Sequence, residues 1–255
     1  MAKPILVANW KNNPGSLNEA VALLKQFSKD RRFYQKLSFF IAPPLPYFES
    51  VTERAGSFAR LASQDIFFPS RAGAYTGEVT SDILKSFGVR LAIIGHSERR
   101  ALGETSEKVS RKVKLALHSG IMPLVCIGET SQDKDGEHFE FLREQLKLSL
   151  ASLSRKTDIS KLVIAYEPIW AIGKSAVNAI EPVDLAQSVI FIKKVLTDIF
   201  GRKAAERVPI LYGGSAEPAN VEALLGETGI KGLLVGHASL NAKSLGVIAK
   251  SFLTK

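Results

Sequence analysis

Three titratable residues stand where apolar runs end, in positions with chemical consequences. Glu167 follows Leu162-Val163-Ile164-Ala165-Tyr166 and precedes Pro168. A proline confines the residue before it to extended backbone, so this carboxylate sits on a stiff exit. A carboxylate so held can take a proton from a carbon beside a carbonyl, general base catalysis contributing about 10²–10⁴-fold. His96, after Leu91–Ile94 and Gly95, can polarise the carbonyl oxygen on which charge then accumulates. Ser97-Glu98-Arg99 behind it can open a short helix whose positive end favours a neutral imidazole. Lys11, in Asn9-Trp10-Lys11, offers a cation to an anionic substrate or an enediolate. Gly213-Gly214-Ser215 and Gly236 can gather backbone N–H groups around a phosphate.

Each residue taken singly has a plainer reading. A strand-end glutamate pairs with a cation, a histidine after an apolar strand is a satisfied structural residue, and a loop lysine is solvated. Paired glycines also make ordinary turns. Cys126, within an apolar run and with no histidine beside it in sequence, reads as a buried strand residue and not as a nucleophile. His96, His118, His138 and His237 are far apart and lack HxxxH spacing, which argues against a metal site.

The elements that must position these residues are legible as alternating short and long patterns. Strand candidates are Ile5–Asn9, Ser38–Ala42, Arg60–Gln64, Leu91–Ile94, Pro123–Ile127, Leu162–Tyr166, Ile210–Tyr212 and Gly232–Val235. Being apolar almost throughout, they suit a parallel sheet buried on both faces. Leu185, Val189, Ile192, Leu196 and Ile199 mark one face of a helix that Pro182 can open and Gly201 can close. A second helix carries Val109, Val113 and Leu117, opens near Thr105 or Ser106, and stops at Gly120. Eight strand-then-helix units without a linker predict an α/β fold, a single (β/α)8 barrel domain over residues 1–255. A doubly wound open sheet is the alternative, weakened because no GxGxxG follows the first strand. In a barrel the active site lies at the carboxyl ends of the strands, with phosphate after strands seven and eight. Asn9, Lys11, His96, Glu167, Ser215 and Gly236 all fall on that rim.

Composition sets the outer bounds. The chain has 255 residues, 45% of them hydrophobic, one cysteine and a formal charge of +9. With mean hydropathy +0.06, this describes a globular protein with a sizeable core, as one large α/β domain or two small ones. No apolar run approaches the ~18 residues of a spanning helix, so no membrane association is expected. MAKPILVANWKNN does not read as a signal peptide. A lone cysteine allows no intramolecular disulfide and fits a reducing cytosol, hence a cytoplasmic protein. The basic residues are scattered. Their densest run, Lys108 to Lys114, reads as the solvated face of an amphipathic helix and not as a nucleic-acid patch. The positive field can still draw in a small anion.

The motifs Asn9-Trp10-Lys11, GHSERR (95–100), CIGE (126–129), AYEPIWAIG (165–173), YGGS (212–215) and LVGxASL (234–240) together resemble the triosephosphate isomerase family, in its order and over nearly the whole chain. Six motifs in register are specific where one would be weak. The resemblance implies a cofactor-free, metal-free interconversion of dihydroxyacetone phosphate and D-glyceraldehyde 3-phosphate in glycolysis and gluconeogenesis. It makes Glu167 the base, His96 the neutral electrophile, and Lys11 and Asn9 substrate ligands, with Glu98 in support. A glutamate base beside a neutral histidine is this family's own known case of tuned acid–base chemistry. The resemblance also implies phosphate on the backbone of Gly173, Ser215, Gly236 and His237. Pro168, Ile169, Trp170, Ala171, Ile172, Gly173, Lys174, Ser175 and Ala176 would form a lid that excludes water. GAYTGE (73–78) resembles the family's dimer loop, which implies a homodimer with Thr76 reaching the neighbouring subunit.

Two departures accompany the resemblance. Gly236-His237 stands where the family usually has Gly-Gly, which adds bulk beside the phosphate; the expectation is that the His237 N–H still binds and the imidazole turns outward. Lys174 follows Gly173 where the family commonly continues Thr-Gly-Lys, so either the lid is two residues shorter or Ser175 and Ala176 fill positions normally held by Gly and Lys. A barrel relative retained as a non-catalytic binding or scaffold protein is the rival reading, opposed by the joint presence of Lys11, His96 and Glu167.

Overall fold

All eight apolar runs are strands. In the computed structural model, which describes residues 3–69, 71–132, 136–171, 173 and 179–253, they are β1 (Ile5–Asn9), β2 (Ser38–Ala42), β3 (Arg60–Ser63), β4 (Leu91–Ile94), β5 (Met122–Ile127), β6 (Val163–Tyr166), β7 (Ile210–Tyr212) and β8 (Gly232–Val235). Three ends shift by one residue from the sequence expectation: β3 stops before Gln64, β5 begins at Met122, and β6 begins at Val163. Gln64, just past the end of the ladder, turns its side chain to the β1 loop and donates to Lys11 O.

Every pairing is parallel and the order closes, β1 bonding to both β2 and β8. That closure excludes the doubly wound open sheet. The (β/α)8 barrel is ringed by α1 (Leu17–Phe27), α2 (Arg31–Tyr34), α3 (Phe48–Ala55), α4 (Ser81–Ser86), α5 (Ser97–Ala101), α6 (Ser106–His118), α7 (Glu137–Ser149), α8 (Pro182–Phe200), α9 (Arg202–Arg207), α10 (Val221–Leu224) and α11 (Ala242–Ser251).

Two cores follow from the two-residue period of a strand. Val7, Phe40, Ala42, Ala62, Leu91, Ile93, Leu124, Cys126, Val163, Ala165, Leu211 and Leu234 form one cluster inside the barrel. Their neighbours along the strands, such as Leu6, Ile94, Val125, Ile164 and Val235, belong to the larger cluster beneath the helices. Both faces are apolar, which is why the strands read as continuous hydrophobic runs.

Pro182 occupies the first turn of α8 and Gly201 ends it with φ 84. Leu185, Val189, Ile192 and Leu196 are buried there while Ile199 is half-buried. Thr105 caps α6, its side chain accepting the Lys108 N–H. On that helix Ala116 takes the buried position expected of Leu117, which is half-buried.

One reading of α6 is corrected. The basic run 108–114 is not wholly a solvated face, because Lys112 is 5% exposed. Its ammonium bonds Asp65 at 2.6 Å and also Glu104. Without those carboxylates the buried charge would be prohibitively expensive. Residues 73–78, including Thr76, form an exposed loop.

Candidate active site

Continuing the strand alternation upward explains who faces the centre of the rim. The inward residues Val7, Cys126, Ala165, Leu211 and Leu234 are followed two positions later by Asn9, Gly128, Glu167, Gly213 and Gly236. Only Glu167 among these carries an acidic side chain, and its neighbours are cleared for it. A Cβ on Gly128 would lie 1.8 Å from the Glu167 carbonyl oxygen, and one on Gly213 would lie 2.8 Å from Glu167 Cγ. The glycines of CIGE and YGGS are thus the space that the glutamate occupies.

Glu167 is 1% exposed. Its N–H donates to Ile127 O at 2.8 Å, and its Oε2 accepts the Ser97 N–H at 3.1 Å. Its Oε1 lies 3.4 Å from His96 Nε2. The carboxylate therefore rests at the start of α5, beside the cavity and not lining it.

His96 arrives through a break in β4. Gly95 has φ 72, a left-handed conformation that a side chain resists, and a Cβ there would also meet Arg100 and Val109 at 2.9 Å. The turn aims His96 at the rim and starts α5 immediately after it. Its Nδ1 accepts the Glu98 N–H at 3.2 Å. A ring that accepts at Nδ1 bears its proton on Nε2 and is neutral. That Nε2–H points to the same space as Glu167, as required of a donor to a carbonyl.

Lys11 has φ 53, the one non-glycine residue with positive φ among the described residues. Such backbone costs on the order of 1–3 kcal/mol and persists where its surroundings over-determine it. Here the Lys11 N–H donates to Asn9 Oδ1 at 3.0 Å. Gln64 Nε2 donates to both Lys11 O at 2.7 Å and Ala42 O at 2.9 Å. The Lys11 ammonium meets Glu98 at 2.6 Å.

A cavity of about 160 Å³ opens above these groups, lined by Asn9, Lys11, His96, Gly173, Ser215, Gly236 and His237 among others. Gly236 gives room at its edge, since a Cβ there would stand 3.2 Å from Lys11 Cε. Ser215 Oγ donates to Ala171 O at 2.9 Å, tying the β7 loop to the segment after β6. Of the expected lid, Ile169–Ala171 form a 3-10 turn. Ile172, Lys174, Ser175 and Ala176 lie outside the described residues.

The chain matches the family model described as triosephosphate isomerase over residues 4–252. It belongs to the triosephosphate isomerase family. A triosephosphate isomerase of Citrifermentans bemidjiense is 40% identical over 98% of this chain and 99% of its own length. That of Geobacter metallireducens is 40% identical over 97% and 98%, and one of Clostridium botulinum (strain Okra) 39% over 97% and 99%.

Several residues that hold this triosephosphate isomerase site together escape a reading of strand ends. Arg100 Nε donates to Gly95 O at 2.8 Å, and its other nitrogens reach Ser106, Cys126 O and Ser149. It pins the β4 turn to β5, and burial lowers its pKa from the ordinary arginine value. Glu129 accepts Trp170 Nε1–H at 2.6 Å and Tyr166 O–H at 2.9 Å, holding the first turn of the expected lid. Burial pushes the Glu129 carboxyl up, against the lowering by those hydrogen bonds. Membership of GHSERR and CIGE was the available signal for Arg100 and Glu129; Gln64 had none. Cys126 is fully buried, and burial followed by the nearby Glu167 charge pushes its thiol well up. It stays protonated, in keeping with a packing role.

Proposed function

We propose that this isomerase interconverts dihydroxyacetone phosphate and D-glyceraldehyde 3-phosphate, in keeping with relatives named triosephosphate isomerase, and that Glu167, His96 and Lys11 perform the chemistry. The observation that carries the assignment is the His96 ring at the cavity wall: Nδ1 is occupied as an acceptor, so the ring proton lies on Nε2, 3.4 Å from Glu167 Oε1. Phosphate binds the backbone N–H groups of Gly173, Ser215, Gly236 and His237, which leaves the three-carbon body over His96 and Lys11. Glu167 leaves the Ser97 N–H and removes the proton from the carbon next to the carbonyl. The electron pair moves into an enediolate whose oxygens take the His96 Nε2–H and the Lys11 charge. The same carboxyl then returns the proton to the neighbouring carbon while the hydroxyl proton passes from one enediolate oxygen to the other by way of His96 Nε2, so no group is consumed and no metal or cofactor is required. Asn9 holds Lys11 in its strained turn, Glu98 orients its ammonium, and residues 168–176 close over the intermediate to keep water out.

By the same family reading the chain is one domain, works in the cytoplasm in glycolysis and gluconeogenesis, and forms a homodimer through the exposed loop with Thr76. Neither nucleic acid nor a membrane is a partner; no described helix is long and apolar enough to cross one.

A coupled assay on purified protein tests the activity. Turnover of glyceraldehyde 3-phosphate is expected, and folded protein without turnover would end this reading. His237 supplies a second measurement. It is exposed at the cavity edge, so with its imidazole outward His237→Gly should leave KM within about twofold. A KM that falls severalfold would instead place the imidazole in the phosphate's way.

A further inference from the structure

The opposite mouth of the barrel holds a larger cavity, of about 690 Å³. It lies at the amino ends of β7, β8 and β1, a full strand length from His96 and Glu167. Its walls are apolar, from Ile5, Pro209, Leu225, Ile230 and Phe252, and its charged lining is Lys3, Lys193, Arg207, Lys231 and Glu206. A concave apolar site with a few polar groups at one side is the usual form of a small-molecule pocket.

The cations around it are not equivalent. Lys193 donates to Ala205 O at 2.9 Å, Glu206 O at 3.2 Å and Val208 O, which uses all three of its ammonium protons to close the end of α9. Lys3 donates to Gln35 O at 2.8 Å. The one acid, Glu206, is bonded to Arg202 at 2.8 Å. Arg207 and Lys231 have no ion-pair partner among the described residues. Lys231 is close enough to Lys193 that, after burial, its charge is the next largest influence lowering the Lys193 ammonium. Unneutralised cations beside an apolar hollow complement a molecule with an apolar body and one anionic head.

We propose that this N-terminal mouth is a binding site, separate from the catalytic rim, for a small amphipathic anion such as a medium-chain aliphatic carboxylate. The head group is held by Arg207 and Lys231 and the chain lies against Ile230, Leu225 and Phe252. Binding here leaves the substrate cavity free, because the packed barrel interior separates the two ends.

Titration calorimetry on the full chain with decanoate, decyl phosphate, decanol and inorganic phosphate tests the proposal. Decanoate is expected to bind at one saturable site at least about tenfold more tightly than decanol. Decyl phosphate binding better than decanoate would assign the head group as phosphate within the same site. Arg207→Gln with Lys231→Gln should weaken decanoate about tenfold, leave decanol unchanged and leave isomerisation at the wild-type rate. Ile230→Trp, which crowds the apolar wall beside Leu225 and Phe252, should weaken both. Equal binding of decanoate and decanol, no saturable binding, or unchanged binding in the double variant would overturn it. So would competitive inhibition of isomerisation by decanoate, which would put decanoate in the catalytic cavity.

Discussion

Glu167→Gln is expected to lower kcat by about 10²–10⁴-fold while KM moves little, because the amide keeps the shape and loses the base. The surroundings favour a clean result. Gln can still accept the Ser97 N–H that Glu167 Oε2 accepts at 3.1 Å, and the Gly128 and Gly213 positions that make room for the side chain are untouched. Glu167→Asp keeps the charge and withdraws it by one methylene. A misplacement of about 1 Å can cost about 10²-fold, so this variant should fall between wild type and Gln. Stopped or coupled kinetics at saturating substrate give kcat, and urea unfolding confirms that the variants remain folded. A folded Gln variant within tenfold of wild type would remove Glu167 from the role of base.

How far the sequence foretold this site depends on which physical rule governs each residue. Strand existence and order were readable because both barrel faces bury apolar side chains, so the runs are uninterrupted. The rim residues were readable because chain order and strand ends locate them. Lys112 was misread for the opposite reason. Its helix shows the right period, but a period cannot tell that Asp65, 47 residues earlier in the chain, lies across from it. Gln64 and Arg100 share that difficulty: their hydrogen bonds reach 53 residues back and 49 residues forward. Glycine roles were half legible. The turn at Gly213-Gly214 reads from sequence as a phosphate nest, whereas what the fold shows at Gly213 is the hollow into which Glu167 fits. Space is a property of neighbours in three dimensions, and a run of residue types does not display it.

The buried ion cluster supplies the largest expected effect on stability. Lys112 bonds Asp65 at 2.6 Å and Glu104, while Asp65 also holds Arg99 of α5 at 2.9 Å. Glu104 in turn accepts the Gly95 N–H at 3.1 Å, so the cluster braces the turn that aims His96. Burial is the leading influence on Asp65 and pushes its carboxyl up, outweighing the lowering by Lys112. The pair is therefore held against desolvation and does not represent a large net gain. Removing one partner is a different matter, since it strands the others. Lys112→Met should cost about 3–5 kcal/mol in urea unfolding at fixed protein concentration, by leaving Glu104 buried without its cation and half-buried Asp65 with Arg99 alone. Adding Asp65→Asn and Glu104→Gln removes the stranded charges and should recover much of that loss, though not the bracing of Gly95 by a full carboxylate. If the single variant lost less than about 1 kcal/mol, the cluster would rank with ordinary surface pairs. If the triple variant were no better than the single, stranded charge would not be the cause. A lowered kcat in the folded single variant, restored in part by the triple, would show the bracing of His96 acting through the same charges.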